Sequence, residues 1–198
     1  PVIGNTFTTM RLLTIFVLML AISCNFTEHT KQNVDSEILE SKQAMAIEMQ
    51  TLRKEFASSY SNKLNKLVDT GSKQKLDTYY GLVENANYFM DSIKSEMDKL
   101  DPMDVQNVEL IKNTFVYKGI GDSLFDRINT SIEYAENISI SLQQKNKIKA
   151  AQDSLFDKPN AQLAEELFSL TNSLGASMII CGFQTELYRI SMLALKDE

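Results

Sequence analysis

Residues 76–100, which read LDTYYGLVENANYFMDSIKSEMDKL, decide the fold class of this chain. Apolar side chains recur along this stretch in steps of three and four residues: Leu76, Tyr79, Val83, Ala86, Met90, Ile93, Met97 and Leu100. This spacing is close to the a/d repeat of packed helices, and it predicts a helix from Lys73 to Leu100 with one buried stripe. The helix is expected to end at Asp101-Pro102, because the residue before a proline avoids helical angles.

A second apolar stripe precedes this helix. Its members step by three, four or seven residues: Val34, Ile38, Met45, Met49, Leu52, Phe56, Tyr60, Leu64 and Leu67. They predict an amphipathic helix from about Val34 to Val68, which at 1.5 Å per residue is roughly 50 Å long. Gly71 is predicted to end this helix as a left-handed C′ residue, and the short turn favours an antiparallel hairpin with the helix that follows.

Further helical patterns follow, and no alternating strand pattern interrupts them. Asp104 is predicted to cap the first, Asp122 the second after a turn at 119–121, and Asn160 a closing helix that runs to about Leu193 and buries Leu170. The more polar residues 143–157 are also expected to be helical. Only seven glycines and three prolines are present, which disfavours turn-dense β-structure. We therefore predict an all-α fold, an antiparallel bundle of four to five long helices.

The chain begins with an apolar segment that is typical of an export signal. Met10-Arg11 is followed by apolar residues 12–21, and residues 12–27 carry no charge. These 16 residues are fewer than the about 20 that a spanning helix needs. Ala21-Ile22-Ser23-Cys24 is similar to a bacterial lipobox, in which the cysteine is lipidated. Two alternatives follow: a lipoprotein modified at Cys24, or a retained signal-anchor helix. Either one predicts a signal or membrane-anchor segment at 1–27 and an extracytoplasmic helical bundle domain at 28–198.

The charge balance argues against a nucleic-acid-binding protein. Twenty basic and 26 acidic side chains give a net charge of −6. Proteins that bind nucleic acid usually carry a concentrated basic surface. The densest basic stretch here, lysines 145, 147 and 149, spreads around a helix. We therefore predict no nucleic-acid partner.

The residue inventory also argues against metal, cofactor and catalytic sites. The single histidine is His29, and the two cysteines, Cys24 and Cys181, are far apart in sequence. One histidine and two distant cysteines are too few for a tetrahedral zinc site. A single histidine also cannot form the two Glu-x-x-His motifs of a di-iron bundle. Cys181 lies in an apolar run and is predicted to be a buried small hydrophobe. One group of carboxylates is close in sequence and is interpreted as a solvated helix face: Asp91, Glu96, Asp98, Asp101 and Asp104. We predict a non-enzymatic chain with no metal, cofactor or catalytic residues.

Three stretches resemble the N-terminal region of the gliding-motility-associated protein M family, the periplasmic shaft proteins of the Bacteroidota type IX secretion motor. The first is 79–96, which includes Tyr79-Tyr80 and Asp91-Ser92-Ile93-Lys94-Ser95-Glu96. The second is Lys118-Gly119 followed by Leu124 and Arg127-Ile128-Asn129, and the third runs from Phe156 and Pro159 through Leu167, Leu170, Leu174 and Glu186. Order and spacing agree over roughly 30–195. Family members continue into β-rich domains, so the resemblance implies a truncation or a short relative.

What the resemblance implies is a dimeric, membrane-attached periplasmic element that transmits force or binds secretion components. Its expected partners are the membrane, proteins of a secretion and motility complex, and a second copy of the chain. One alternative is a lipoprotein or anchored bundle that senses a small ligand, with a polar pocket lined by Tyr79, Tyr80, Tyr88 or Tyr117. A third is an enzyme that uses a buried carboxylate pair in a cleft.

Overall fold

The computed structural model describes residues 28–101, 104, 106–139 and 141–196, with side chains from residue 40 onward. The predicted signal or anchor segment 1–27, including Cys24, lies outside the described residues. The chain divides into two compact units, 1–44 and 45–198. Within the first unit, the described residues 28–44 are helical.

The described residues form seven α-helices and a short π-helical segment, and none of them lies in a strand. The elements are α1 (Glu28–Lys66), α2 (Thr70–Met97), α3 (Gln106–Lys112), the π segment (Asn113–Tyr117), α4 (Ile120–Ile138), α5 (Leu142–Leu155), α6 (Asn160–Phe168) and α7 (Ser173–Leu195). The all-α prediction is therefore confirmed. Four helices, α1, α2, α4 and α7, are long, with 39, 28, 19 and 23 residues respectively.

The apolar stripe of α2 is buried as the spacing predicts. Every member from Leu76 to Met97 is buried, and Leu100 is half-buried. The helix begins earlier than predicted, because the Asp69 carboxylate accepts a hydrogen bond from the Ser72 amide at 2.7 Å. Gly71 consequently lies inside the first turn of α2, and the prediction that it is a left-handed C′ residue is wrong.

Two of the predicted helix caps are replaced by other residues. Asp104 does cap α3, since its Oδ1 accepts from the Gln106 amide at 2.9 Å. Asp122 does not cap α4: the helix starts at Ile120, directly after Gly119, whose φ of 70° and ψ of 19° are left-handed. This conformation favours glycine. The turn predicted at 119–121 is thus confined to Gly119, because Ile120 and Gly121 already belong to α4.

The third predicted cap, Asn160, is the first residue of α6 rather than the residue before it. Pro159 precedes the helix, and Asn160 Nδ2 instead donates to Asp126 Oδ1 of α4 at 2.6 Å. The Asn160 side chain, predicted from the sequence to cap the helix, therefore bonds a neighbouring helix instead.

The closing helix is broken in two, which the apolar pattern did not predict. Residues 169–172 separate α6 from α7, and Thr171 Oγ1 donates back to the Leu167 carbonyl at 2.6 Å. Asn172 then accepts from the Gly175 amide at 2.8 Å and starts α7. Leu170, expected to be buried, is 91% exposed in this break.

Helix α2 runs antiparallel to α1, α4 and α7. Tyr60 and Arg53 of α1 contact Asp77 and Glu84 of α2 respectively, so sequence number rises on one helix as it falls on the other. The same reversal appears on α4, where Arg127 lies over Phe89 and Tyr134 stacks near Tyr79. It also appears on α7, where residues 184 and 188 contact 91 and 84. The predicted antiparallel hairpin of the first two helices is confirmed within 45–97.

Aromatic rings fill much of the core of the second unit. Phe125 lies 5.2 Å from Phe183 between ring centroids, and Phe115 of the π segment stacks on Phe168 at 4.0 Å. Gly121 allows α4 to approach α6 closely, since a Cβ at this position would lie 2.7 Å from Ala164 Cβ. The two helices can therefore pack closely at this point because glycine has no side chain.

Candidate functional site

Polar side chains interrupt the apolar contact between α2 and α7. We call Glu84, Asn87 and Asp91 of α2 with Gln184 and Tyr188 of α7 the polar seam. Steps of three and four residues place the members from each helix on one face. Asn87 and Gln184 are each 1% exposed, and Glu84 is 9% exposed. Groups buried to this degree require partners, so their contacts define what the seam can do.

The Glu84 end of the seam is closed by an ion pair from α1. Arg53 Nη2 lies 2.5 Å from Glu84 Oε2, and the Tyr188 hydroxyl donates to Glu84 Oε1 at 3.4 Å. Burial and the nearby Glu84 charge raise the pKa of Tyr188, so it remains a neutral donor. The Arg53 guanidinium also lies 4.8 Å from the centre of the Tyr88 ring. Both carboxylate oxygens are thus engaged, and three helices meet at this group.

The other end of the seam is an amide cluster. Gln184 Nε2 donates to Asp91 Oδ1 at 2.9 Å and lies 3.4 Å from the Asn87 carbonyl oxygen. Asn87 Nδ2 donates to the Val83 carbonyl at 2.9 Å, and Lys94 pairs with Asp91 at 3.0 Å. Asn87 Oδ1 and Gln184 Oε1 accept no hydrogen bond from the part of the chain that the structure describes.

Beside the ion pair, a row of rings joins α1 to α2. This aromatic ladder consists of Phe56 and Tyr60 of α1 with Tyr80 of α2. Tyr60 and Tyr80 have centroids 4.3 Å apart, and Phe56 stacks on Tyr80 at 5.3 Å with planes 6° apart. The Tyr60 hydroxyl donates to Asp77 Oδ1 at 2.6 Å, and this bond raises the pKa of Tyr60 to about 12. The ladder therefore holds α1 along α2 by stacking and by a hydrogen bond.

The four tyrosines proposed for a ligand pocket do not converge. Tyr79 is fully buried in the core, where burial raises its pKa. Tyr80 belongs to the ladder, and Tyr88, 59% exposed, lies two turns further along α2 beside Arg53. Tyr117 lies in the π segment near Lys112 and is 64% exposed. The structure therefore brings Tyr80 and Tyr88 to the surroundings of the ion pair and leaves the other two elsewhere.

The clustered carboxylates are engaged separately. Asp91 belongs to the seam, Glu96 pairs with Lys99 at 2.5 Å on the surface, and Asp104 caps α3. Within the residues that the structure describes, no group of three or more His, Cys, Asp or Glu side chains is placed to hold a metal ion. Cys181 is half-buried rather than fully buried, and burial raises the pKa of its thiol. His29 lies in α1.

The α2 residues of the polar seam are recognisable in the sequence, although the apolar spacing alone does not predict the seam. Each α2 member directly follows a residue of the apolar stripe: Glu84 follows Val83, Asn87 follows Ala86, and Asp91 follows Met90. A polar series with the same spacing, shifted by one position, lies at the border of the buried face. Which partners it meets is decided by α1 and α7, and these are distant in sequence.

No family model, no curated protein and no solved structure matches this chain. Among the helices that the structure describes, none combines the length and the apolar character that crossing a membrane requires.

Proposed function

We propose that this chain is a non-enzymatic, membrane-tethered periplasmic protein with a structural and interaction role. In this proposal an antiparallel bundle of four to five long helices follows a signal or anchor segment at 1–27. Its role resembles that of the N-terminal domain of the type IX secretion and gliding motor shaft. The expected partners are the membrane, proteins of a secretion or motility complex, and a second copy of the chain.

The observation that carries this proposal is the attachment of α1 over successive turns. Arg53, Phe56, Tyr60 and Lys63 are spaced by three, four and three residues, and each contacts another helix. Phe56 is fully buried, and the Lys63 ammonium donates to the Ala194 carbonyl of α7 at 3.1 Å. A helix held at four points by two neighbours moves with them as a unit. This is the property that a force-transmitting or docking element needs.

The contacts of the polar groups support a non-enzymatic role. Glu84, the most buried carboxylate of the seam, has one oxygen paired with Arg53 and the other accepting from Tyr188. Asp91 is bonded by Gln184 and Lys94. An acid–base catalyst needs a carboxyl group that is turned toward substrate and has a pKa adjusted for the task. These side chains are instead turned toward one another.

Metabolic labelling with palmitate tests the tether. The full chain is compared with Cys24→Ala and with Cys181→Ala, which removes the only other cysteine. Label in the unmodified chain and in Cys181→Ala, but not in Cys24→Ala, supports a lipoprotein. Membrane recovery without label supports a retained anchor. Recovery of the full chain in the cytosolic fraction contradicts the proposal.

Co-purification from detergent-solubilised native membranes tests the partners. We expect the tagged full chain to retain a second copy of itself and a motor-type membrane protein with two spanning segments. Phe56→Ala, which loosens α1, should reduce this recovery, whereas Ile47→Ala at an exposed position of the same helix should not. Equal recovery with both variants would contradict a role for the docked α1 helix.

A second candidate function is an anchored bundle that senses a small ligand. It is favoured by one feature, the exposed Tyr88 ring beside the Arg53 guanidinium, which is a surface suited to an aromatic or anionic group. A ligand of this kind should raise the melting temperature of the full chain but not of Tyr88→Ala. Tyr117→Ala is the matched control, because Tyr117 is exposed to a similar degree and lies beside a different cation, Lys112. Equal ligand shifts in both variants would exclude the Tyr88 surface.

A further inference from the structure

Two buried amide oxygens on facing helices accept no hydrogen bond from the described part of the chain. They are Asn87 Oδ1 on α2 and Gln184 Oε1 on α7, and each side chain is 1% exposed. Gln184 Nε2 lies 3.4 Å from the main-chain carbonyl oxygen of Asn87, so the two residues adjoin. In folded proteins, buried polar atoms of this kind are usually satisfied, because an unpaired buried acceptor is costly.

A different orientation of either amide does not supply the missing bond. Asn87 Nδ2 donates to the Val83 carbonyl, and Gln184 Nε2 donates to the Asp91 carboxylate, both at 2.9 Å. A rotation of either amide by half a turn would place its oxygen against one of these acceptors. The hydrogen-bond network therefore fixes both amides as they stand.

The donors at both ends of the seam already have partners. Arg53 and Tyr188 donate to Glu84, and Lys94 pairs with Asp91. The hydroxyls of Tyr79 and Ser191, also buried and unpaired, differ from the amides because an O–H rotates freely. Burial raises the pKa of Tyr79, and the neighbouring Ser191 hydroxyl partly offsets this rise through a hydrogen bond, so rotation of one O–H satisfies that pair. The two amide oxygens have no such adjustment.

We propose that an internal water molecule is bound between α2 and α7, where it donates hydrogen bonds to Asn87 Oδ1 and Gln184 Oε1. The site suits a small neutral donor rather than a cation. Its flanking carboxylates, Glu84 and Asp91, are already paired with Arg53 and Lys94. This water supplies hydrogen bonds that no side chain of the described residues supplies, and it leaves only when α2 and α7 separate locally. The inference does not depend on the proposed function.

Oxygen-17 magnetic relaxation dispersion of the full chain in detergent micelles tests this site, since it counts long-lived internal water. The test variant is Asn87→Leu combined with Gln184→Met, which removes both acceptors at similar side-chain volume. We expect one fewer long-lived water molecule than in the unmodified chain. The matched control is Asn85→Leu combined with Gln143→Met, at exposed amides of α2 and α5, and it should retain the count.

A second measurement on the unmodified chain keeps the inference testable if the buried variant does not fold. Rotating-frame exchange spectra should show direct water contacts to the side-chain amide protons of Asn87 and Gln184, and none to those of Asn85 beyond fast surface exchange. An unchanged water count in a folded buried variant overturns the inference. So does the lack of water contacts at both amides in the unmodified chain.

Discussion

Gly121, the second residue of α4, faces Ala164 of α6 at a distance that leaves no room for a side chain. An added Cβ would lie 2.7 Å from Ala164 Cβ and 2.9 Å from the carbonyl oxygen of Phe115. Carbon contacts are optimal at about 3.5–4.0 Å, so alanine at this position would be too close by roughly 1 Å. The second of these contacts involves backbone, which cannot move aside as the end of a flexible side chain can.

Two opposing effects set the expected stability of Gly121→Ala. Alanine favours a helix over glycine by up to about 1 kcal/mol, and less in the first turn. Overpacking costs about 1–3 kcal/mol. We therefore expect a net loss of about 1–2 kcal/mol, which for a domain of this size lowers the melting temperature by about 2–8 °C.

Thermal and urea denaturation, followed by circular dichroism, measure this loss against matched controls. Gly81 of α2 and Gly182 of α7 have nothing within 4 Å of an added Cβ. Gly81→Ala and Gly182→Ala should therefore gain about 0.5–1 kcal/mol from helix preference alone. In a double-mutant cycle, Gly121→Ala should cost less in an Ala164→Gly background than in the unmodified chain, since one of the two close contacts is then absent. A Gly121→Ala protein as stable as the unmodified chain would refute the close approach of α4 and α6.

Three further predictions concern the attachment of α1. Phe56→Ala removes a fully buried ring and should cost about 3–5 kcal/mol of unfolding free energy in urea denaturation, whereas exposed Ile47→Ala should change it by less than about 0.5 kcal/mol. Lys63→Met keeps the aliphatic stem but removes a buried charged donor to α7, so we expect a loss of about 1–2 kcal/mol of unfolding free energy. No loss would contradict the hydrogen bond from Lys63 to the Ala194 carbonyl. The hydrogen bond to Asp77 raises the pKa of Tyr60 to about 12, above the unfolded value of 10.0. The stabilisation from this bond should therefore be full below pH 10 and should disappear as the pH rises toward 12. Asp77→Asn should lower this pKa toward its ordinary value in a tyrosinate absorbance titration, and an unchanged value would argue against the bond.

The helix caps show where local sequence reasoning succeeds and where it fails. Asp104 caps α3 as predicted because an N-cap bond spans only two or three residues. Asn160 has the same capping ability, yet its amide bonds Asp126 of α4, which is 34 residues away in sequence. A polar side chain with two competing partners takes the one that the packed helices bring to it, and sequence spacing does not reveal that partner.

The candidate site divides in the same way. The polar residues of the seam on α2 are visible in the sequence as a series one position beyond the apolar stripe. Their partners are not visible, because Arg53 lies 31 residues before Glu84 and Gln184 lies 93 residues after Asp91. The signal or anchor segment at 1–27, lipidation at Cys24 and the family resemblance remain predictions, which the labelling and co-purification experiments test.

The sequence by itself determined that the chain is helical and which face of α2 is buried, because a period of three and four residues is a local property of the backbone. Only the tertiary structure decided where the closing helix breaks, which charges pair, and that Asn87 and Gln184 adjoin inside the bundle, each with a buried, unpaired amide oxygen. These features depend on the crossing and register of helices that are far apart along the chain. Many different registers bury the same apolar stripe, so the stripe alone does not select among them.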